Sequence, residues 1–401
     1  MLTLDKVYHA AFSMKNVIRQ TDLIYAPLLP SEGELYLKTE NLQVTGSFKV
    51  RGAYYKISQL TPEEKVRGVI ACSAGNHAQG VARAATMEGI SSKICLPDNA
   101  PISKIEATKR YGAEVVLVNG VYDDAYTKAR ELEKEEGRVF IHPFDDEDVI
   151  AGQGTIGLEL LEQLPDLDAI IVPVGGGGLI SGIAFAVKTL NPKCKIYGVQ
   201  VSGASSMANS VEHGQIEELA GVTTFADGIA VKRPGNLTFD LVSRYVDEIV
   251  TVTDDEVATA VLALIEQQKL IAEGAGAVAV AAAMFNKVDI KGKKAVCLIS
   301  GGNIDVNILS RVITRGLLKA GRFVNLCVAL TDKPGQLELV SKIIADQGGN
   351  VVSVHYNRSE ENMAINSCFL TLQLETRDYA QIDAIREKLT AQGFSIVPQH
   401  S

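Results

Sequence analysis

Short apolar segments rich in Val and Ile alternate with amphipathic stretches through residues 68–299. The segments predicted as strands are 68–72, 92–96, 114–118, 139–142, 169–174, 195–201, 248–252 and 295–299. The stretches between them predict helices at 78–88, 104–111, 123–136, 154–163, 179–189, 254–267 and 276–285. Strands that are apolar throughout are typical of a parallel sheet with helices on both faces. The pattern therefore predicts a doubly wound α/β core.

The pattern changes after Gly302. Residues 303–321 predict one helix followed by a linker, and a smaller set of elements begins at Arg322. These elements, separated by a turn at 332–335, are strand 324–330, helix 336–347, strand 351–356, strand 366–375, helix 379–392 and strand 395–398. This β-α-β-β-α-β order is that of a ferredoxin-like α+β domain. We expect one domain of residues 1–320 and a separate, smaller domain of residues 322–401.

Composition restricts the class of partner. The 401-residue chain is 46% hydrophobic and has a net charge of −9, which argues against nucleic acid or an anionic membrane as the main partner. The longest apolar run, residues 277–285, is far shorter than the roughly 18 residues of a membrane span. Residues 1–20 carry charged side chains and no continuous apolar region, so we expect no secretory signal and a cytoplasmic location.

The cysteines are scattered along the chain. They form no C-x-x-C pair and have no His partner at the spacing of metal ligands. This pattern predicts reduced, mostly buried thiols and no metal site.

One lysine has unusual neighbours. Lys49 lies in Ser-Phe-Lys-Val-Arg-Gly-Ala at 47–53, where apart from Arg51 the flanking residues are uncharged. Residues 51–59 predict a helix, and the dipole at a helix N-terminus disfavours a second positive charge. A lysine amine attacks an aldehyde best when its pKa is lowered. The sequence therefore predicts that Lys49 forms an imine.

Four consecutive glycines, 175–178, join a predicted strand to a predicted helix. Backbone N–H groups can converge on a phosphate where no side chains intervene. The segment lacks the lysine of a nucleotide P-loop and does not match the dinucleotide fingerprint, which disfavours ATP and NAD as ligands. A phosphate cradle together with an imine-forming lysine predicts pyridoxal phosphate as the cofactor.

Further polar segments follow other predicted strands. Ser-Ala-Gly-Asn-His at 73–77 offers hydroxyl, amide and free backbone N–H groups to a carboxylate or a ring oxygen. Ser-Gly-Gly-Asn at 300–303 also follows a strand, although by itself this is a common structural turn. Glu273 precedes a predicted helix start rich in glycine and is a further candidate to face the site.

Five segments resemble, in order, the serine/threonine ammonia-lyase (threonine deaminase) group of fold-type II pyridoxal-phosphate enzymes. They are Ser-Phe-Lys-x-Arg-Gly-Ala at 47–53, Ser-Ala-Gly-Asn-His-Ala-Gln-Gly at 73–80, Gly-Gly-Gly-Gly-Leu at 175–179, Arg-Pro-Gly-Asn at 233–236 and Ser-Gly-Gly-Asn at 300–303. The tail resembles an ACT regulatory domain. The resemblance implies a catalytic domain of two parallel-sheet α/β subdomains, with the smaller one, roughly 48–150, inserted in the larger.

The resemblance also implies roles for individual residues. Lys49 would bind the cofactor covalently and then remove the α-proton of the substrate. Asn76 would contact the ring hydroxyl oxygen, Ser300 would meet the pyridine nitrogen, and Ser73 with Asn76 would bind the substrate carboxylate. The phosphate would lie on Gly175, Gly176, Gly177, Gly178 and Leu179.

The implied reaction converts L-threonine to 2-oxobutanoate and ammonia, with L-serine to pyruvate as the lesser activity. A serine racemase and a β-replacement synthase on the same fold are alternatives, as is a non-catalytic amino-acid sensor. Related racemases carry a serine where this chain has Ala74, which favours elimination. Synthases usually carry a Gly-Thr-Gly-Gly type of phosphate loop, and a sensor would have little use for an intact Lys49 and Ser300.

Other properties of the group extend to this chain only in part. Gln200 and Ser206 stand where some relatives bind a divalent cation through acidic residues, so we expect no metal. Gly335 and Asn350 resemble effector-binding positions of ACT domains, for an amino acid or a nucleotide, and such domains usually pair in a homodimer or homotetramer. Whether the enzyme serves isoleucine biosynthesis or threonine breakdown stays open.

Overall fold

The computed structural model describes residues 1–358 and 366–397. Pro398, the last residue of the predicted final strand, lies outside that range. The chain divides into two compact units, Met1–Leu309 and Ser310–Ser401. The domain boundary expected from sequence, at 320–322, lies about ten residues after the boundary between these units. The catalytic role of the first part and the regulatory role of the second stay predictions.

The first unit contains most of the regular elements. Its strands are β1 Leu23–Tyr25, β2 Glu34–Lys38, β3 Val69–Cys72, β4 Ser92–Pro97, β5 Glu114–Val118, β6 Val139–Phe140, β7 Ala169–Pro173, β8 Lys195–Val201, β9 Glu248–Val252 and β10 Lys294–Leu298. Its helices are α1 Leu4–Ser13, α2 Lys49–Ser58, α3 Pro62–Arg67, α4 Asn76–Met87, α5 Ile102–Arg110, α6 Tyr122–Glu136, α7 Glu147–Gln163, α8 Gly178–Leu190, α9 Ser206–His213, α10 Asn236–Tyr245, α11 Asp254–Ala263 and α12 Gly274–Met284.

The larger sheet has six strands in the order β1-β2-β10-β7-β8-β9. All neighbouring pairs are parallel except β1 with β2, which is antiparallel. Every residue of β7 is buried, as expected for a central strand covered on both faces. Strands β1 and β2 were not predicted, because β1 has only three residues and β2 begins and ends with charged residues, and both are partly exposed.

The smaller sheet has four parallel strands in the order β5-β4-β3-β6. All of them come from the stretch of chain between β2 and β7. The chain therefore leaves the larger sheet after β2, builds the smaller sheet and returns at β7. The carboxyl ends of parallel strands are the usual position of ligand sites in α/β folds.

The second unit has a sheet in the order β12-β13-β11-β14, with antiparallel pairs throughout. Helix α13, Val306–Lys319, leads into it, and its elements are β11 Phe323–Thr331, α14 Gln336–Asp346, β12 Asn350–Asn357, β13 Ser367–Glu375, α15 Tyr379–Ala391 and β14 Ser395–Val397. Alternate residues of β13 are buried against the helices. The predicted fold class, an α/β enzyme fold with a ferredoxin-like α+β domain, is confirmed.

Several helix boundaries differ from those predicted. Helix α7 begins at Glu147 rather than at 154, because the Asp146 side chain accepts the N–H groups of Asp148 and Val149 and caps the helix there. Helix α2 begins at Lys49 rather than at 51. Helices α1, α3, α9 and α10 were not predicted.

The cysteines and the helix lengths bear on two further predictions from the sequence. All six cysteines are buried and free, so the predicted reduced, buried thiols are confirmed. In the described part of the chain, no helix combines the length and the apolar character needed to cross a membrane.

A buried ion network ties α2 to the larger sheet. Arg51, which is fully buried, pairs with Glu40 at 2.7 Å and with Glu159 at 2.6 Å. Lys38 from β2 pairs with Glu159 at 2.5 Å. Burial alone would lower the pKa of Arg51, but the two carboxylates outweigh burial and raise that pKa. The network therefore holds the helix that carries Lys49 against strand β2.

Replacing Arg51 by alanine should destabilise the fold strongly. Glu40 would lose its partner while staying buried, which typically costs about 3–5 kcal/mol of unfolding free energy. Urea denaturation measures this loss. Lys109→Ala, which removes a half-exposed partner of Glu106, is the control and should change stability by less than about 1 kcal/mol. Similar small changes in both variants would contradict a stabilising role for the network.

Candidate functional site

Lys49 is the first residue of α2 and is partly buried. Its Nζ donates a hydrogen bond of 2.8 Å to the carbonyl oxygen of Pro143. Burial lowers the pKa of Lys49 to about 8, against an opposing attraction from Glu273. A substantial fraction of the amine is therefore neutral near pH 8, as nucleophilic attack on a carbonyl requires.

A short backbone pairing brings Lys49 and Ser300 together. The N–H of Phe48 donates to the carbonyl of Ser300 at 3.1 Å, and the N–H of Gly302 donates to the carbonyl of Gly46 at 2.9 Å. Between these bonds, Ser47 and Gly301 form an isolated antiparallel bridge. The start of α2 is thus joined to the carboxyl end of β10.

Ser300 and Ser73 are held by local contacts. Ser300 is buried, and its hydroxyl donates to the carbonyl of Ala275 at 3.3 Å. The Ser73 hydroxyl oxygen accepts the N–H of Gly75 at 3.1 Å. Because the oxygen accepts in this bond, the hydroxyl hydrogen of Ser73 stays available to a ligand.

Asn76 begins α4, which residues 73–75 connect to β3, and lies beside the segment that contains Ser300. Its Nδ2 donates to Glu273 Oε1 at 2.6 Å, and its Oδ1 accepts from Asn303 Nδ2 at 2.8 Å. A Cβ placed on Gly301 would lie 3.1 Å from Asn76 Nδ2. Lys49, Asn76 and Ser300 are therefore grouped around one short stretch of backbone at residues 300–303.

The glycine loop connects β7 to α8. Gly177 has φ +97°, in the left-handed region that favours glycine, and α8 begins at Gly178. No side chain caps the helix, so the N–H groups of its first turn are free to bind an anion. The carbonyl of Gly176 is occupied by the hydroxyl of Thr238 at 2.6 Å.

Phe144 links the glycine loop to Lys49. A Cβ on Gly176 would lie 2.5 Å from three atoms of the Phe144 ring, and a Cβ on Gly178 would lie 2.8 Å from the Phe144 carbonyl. Gly176 and Gly178 are therefore needed for the packing of the loop against Phe144. The preceding residue, Pro143, accepts the hydrogen bond from Lys49. The Lys49 amine and the glycine loop therefore both contact the segment Pro143–Phe144.

The neighbouring residues extend this support. Asp145 accepts the N–H groups of Asn236 at 3.0 Å and Thr238 at 3.1 Å, at the start of α10. His142 Nδ1 accepts the N–H of Asp145 at 2.8 Å. Burial lowers the pKa of His142 to about 4, which keeps the ring neutral and Nδ1 able to accept. The segment 142–146 was not among the predicted site residues, although Asp145 and Asp146 follow a predicted strand end.

A family model described as pyridoxal-phosphate dependent enzyme matches residues 14–301. The chain belongs to this family. The L-threonine ammonia-lyase of Thermotoga maritima is 51% identical over 398 residues, 99% of each chain. Among solved structures, the processed form of threonine deaminase isoform 2 from Solanum lycopersicum has a TM-score of 0.73 and 39% identity, covering 78% of this chain and 93% of that one. Maize serine racemase has a TM-score of 0.74 and 35% identity, covering 79% and 98%.

The grouped residues fit the cofactor of the family. Pyridoxal phosphate presents an aldehyde, a phosphate and a ring with a hydroxyl group and a nitrogen. Lys49 offers an amine whose hydrogen-bond partner is a neutral carbonyl. The first turn of α8 offers uncapped N–H groups beside side-chain-free loop residues. The predicted cofactor is confirmed by the family to which the chain belongs.

The two residues at the position of a metal site in some relatives, Gln200 and Ser206, make structural hydrogen bonds. Gln200 is buried, donates to the Val174 carbonyl and accepts the N–H of Ala208. Ser206 donates to the Val231 carbonyl at 2.7 Å. Within residues 1–358 and 366–397, no cluster of three or more His, Cys, Asp or Glu side chains could hold a metal ion.

The two predicted effector residues lie in the second unit and not in this constellation. Gly335 precedes α14 with φ +89° and is exposed. Asn350 begins β12, is exposed, and its Nδ2 donates to Glu375 Oε2 at 2.8 Å.

Gly176→Ala should weaken cofactor binding. The new Cβ would overlap the Phe144 ring, so the loop must shift, and an overpacking cost of this kind corresponds to a Kd increase of roughly tenfold. Absorbance titration of the apoenzyme with pyridoxal phosphate measures the Kd. Combining the change with Phe144→Ala should recover part of the loss. Gly221→Ala, at a glycine with no atom within 4 Å of its Cβ position, is the control, and an equal Kd in all variants would contradict the packing argument.

Proposed function

We propose that the protein deaminates L-threonine to 2-oxobutanoate and ammonia, with L-serine to pyruvate as a secondary activity. The observation that carries the proposal is the 51% identity, over 99% of both chains, to a protein named L-threonine ammonia-lyase. The partly buried Lys49, with a pKa lowered to about 8, supports it as well.

Lys49 is proposed as the residue that binds the cofactor and then acts on the substrate. Its amine would hold the cofactor through the cofactor aldehyde, with water as the leaving group, and the freed neutral amine would accept the α-proton of the substrate. When bound, pyridoxal phosphate supplies an electron-withdrawing ring conjugated to the substrate α-carbon. The Pro143 carbonyl, 2.8 Å from Nζ, orients the Lys49 amine without neutralising it.

The remaining cofactor contacts are proposed from the same grouping. Gly175, Gly176, Gly177, Gly178 and Leu179 bind the phosphate through backbone N–H groups at the start of α8. Ser300 would face the ring nitrogen, with its hydroxyl hydrogen turned from the Ala275 carbonyl toward that nitrogen. The second Nδ2–H of Asn76, beside the one that Glu273 accepts, would donate to the ring hydroxyl oxygen. A hydroxyl beside the nitrogen, rather than a carboxylate, would leave that nitrogen largely unprotonated and favour prompt loss of the β-hydroxyl group.

Ser73 and the start of α4 are proposed to bind the substrate carboxylate. The Ser73 oxygen accepts the N–H of Gly75, so its hydroxyl hydrogen stays available to the carboxylate. Gly75 precedes the helix, and no side chain caps α4. The first-turn N–H groups therefore add donors for an anion.

Racemisation is a second candidate, because the structure of maize serine racemase covers 79% of the chain with a TM-score of 0.74. A racemase needs an acid or base on the face of the cofactor opposite Lys49. In this chain Ala74 stands where related racemases carry a serine, and its methyl group can neither donate nor accept a proton. Elimination is therefore favoured.

Lys49→Ala should abolish 2-oxobutanoate formation from L-threonine. The variant loses both the bond to the cofactor and the proton acceptor, so kcat/KM should fall by at least roughly a thousandfold. Thermal unfolding of the apoprotein should stay close to wild type, because Nζ makes one hydrogen bond. Lys109→Ala is the control and should keep full activity. Retained ammonia release by Lys49→Ala would overturn the assignment.

We further propose that the second unit is an ACT domain that binds an amino-acid or nucleotide effector and pairs in a homodimer or homotetramer. Its four-stranded antiparallel sheet with two helices supports this. Gly335 is exposed and immediately precedes helix α14, and Asn350 is the first residue of strand β12, which follows that helix in the chain. These two positions are the proposed effector contacts.

L-Isoleucine, L-valine or AMP should change the KM for L-threonine in the wild-type enzyme. A coupling of about 5- to 150-fold is usual between allosteric sites. Asn350→Ala should abolish the response, whereas Asn325→Ala, at an exposed strand residue of the same unit, should preserve it. Initial-rate kinetics measure the effect. A KM that none of the three compounds changes would contradict regulation and leave the unit an assembly domain.

A further inference from the structure

Glu273 is a buried carboxylate with no role among the proposed catalytic and cofactor-binding residues. It is 4% exposed and directly precedes α12. Although Glu273 stands at the N-cap position, its side chain makes no bond to its own helix. It turns instead to Asn76 and accepts a 2.6 Å hydrogen bond from Nδ2.

The bond from Asn76 is the end of a chain of side-chain amides. Asn303 Nδ2 donates to Asn76 Oδ1 at 2.8 Å and to the Thr45 carbonyl at 2.8 Å. A flipped Asn76 amide would place its oxygen against the Glu273 carboxylate and its hydrogens against those of Asn303. Donor and acceptor requirements therefore fix one orientation of Asn76, with its second N–H left over for a ligand.

Glu273 is also the carboxylate that acts on Lys49. The charges of the two side chains attract each other. They form no direct hydrogen bond, and Lys49 Nζ donates to the Pro143 carbonyl instead. Asp227 and Lys104, which pair with each other, also face Glu273. Burial, followed by repulsion from Asp227, raises the pKa of Glu273 to about 7, against the bond from Asn76 and the attraction of both lysines.

The backbone around Glu273 leaves the carboxylate little freedom. Its N–H donates to the Gly301 carbonyl at 3.1 Å. A Cβ added to Gly301 would overlap Glu273 Oε1, and one added to Gly228 would lie 3.5 Å from it. The carboxylate therefore lies against the same stretch of backbone that joins Lys49 to Ser300.

We propose that Glu273 is a positioning residue that fixes the Asn76 amide toward the cofactor and supplies the negative charge that faces Lys49. The proposal rests on the roles proposed above for Asn76 and Lys49. Below about pH 7 the carboxylate is protonated, so it accepts more weakly from Asn76 and no longer attracts the Lys49 ammonium. Cofactor attachment should therefore carry a second titration near pH 7, besides that of Lys49 near 8.

The test uses the full-length apoenzyme with pyridoxal phosphate as the probe. Glu273→Ala removes the acceptor and the charge, and should raise the Kd by roughly tenfold, as loss of a hydrogen bond to a charged group does. Glu273→Gln keeps an acceptor oxygen and removes the charge. It should raise the Kd less, but abolish the titration near pH 7 and lower the apparent pKa of Lys49 in the rate of cofactor attachment. Glu248→Gln, at an exposed residue of β9, is the charge-matched control.

Three results would overturn the proposal. They are a Glu273→Gln pH profile identical to that of wild type, a Glu273→Ala Kd identical to that of Glu248→Gln, or a loss of thermal stability in the apo variants with the pH profile unchanged. Failure of the deamination itself would leave these Kd values and pH profiles as proposed, with no 2-oxobutanoate formed by the wild type. Failure of the roles proposed for Asn76 and Lys49 would look different. In that case Asn76→Ala would also leave the Kd for pyridoxal phosphate unchanged, and Lys49→Ala would still form the attached cofactor.

Discussion

The backbone pairing between residues 46–48 and 300–302 is the contact on which the candidate site depends. Two hydrogen bonds and one bridge join the start of α2 to the carboxyl end of β10. Lys49 follows one of these segments, and Asn303, which holds Asn76, follows the other. This short ladder joins segments that are about 250 residues apart in the chain. The entropic cost of closing such a long loop is modest, because it grows only slowly with the number of residues in the loop. The buried ion network of Arg51 then holds α2 in place against the larger sheet.

The lowered pKa of Lys49 is possible because its amine donates to a neutral carbonyl and not to a carboxylate. A carboxylate in direct contact would hold the lysine charged, whereas the Pro143 carbonyl orients Nζ and leaves burial free to lower the pKa to about 8. The same segment carries Phe144, against which the glycine loop packs, and Asp145, which caps α10. The amine is thus oriented by the segment against which the glycine loop packs, and its pKa is set by burial and by the opposing charge of Glu273.

Much of the fold follows from local pattern, since the continuous apolar runs of β3, β4, β7, β8 and β10 mark buried parallel strands. Strands β1 and β2 lack that pattern because they are short and partly exposed. The Lys49, Asn76 and glycine-loop motifs were also visible in sequence, because each follows or precedes a predicted element. Phe144 was not, since its contact with Gly176 depends on tertiary packing. The bond from Asn76 to Glu273 spans 197 residues, so no local signal could reveal it.

The absorbance spectrum of the purified protein with pyridoxal phosphate, followed by addition of L-threonine and detection of the 2-oxo acid, tests the central claim most directly. A near-visible band of lysine-bound cofactor that changes on addition of L-threonine, with formation of 2-oxobutanoate, is the expected result. A band without 2-oxo acid, accompanied by D-amino acid, would favour racemisation and contradict the proposed deamination. No band in the presence of the cofactor would contradict the role of Lys49 itself.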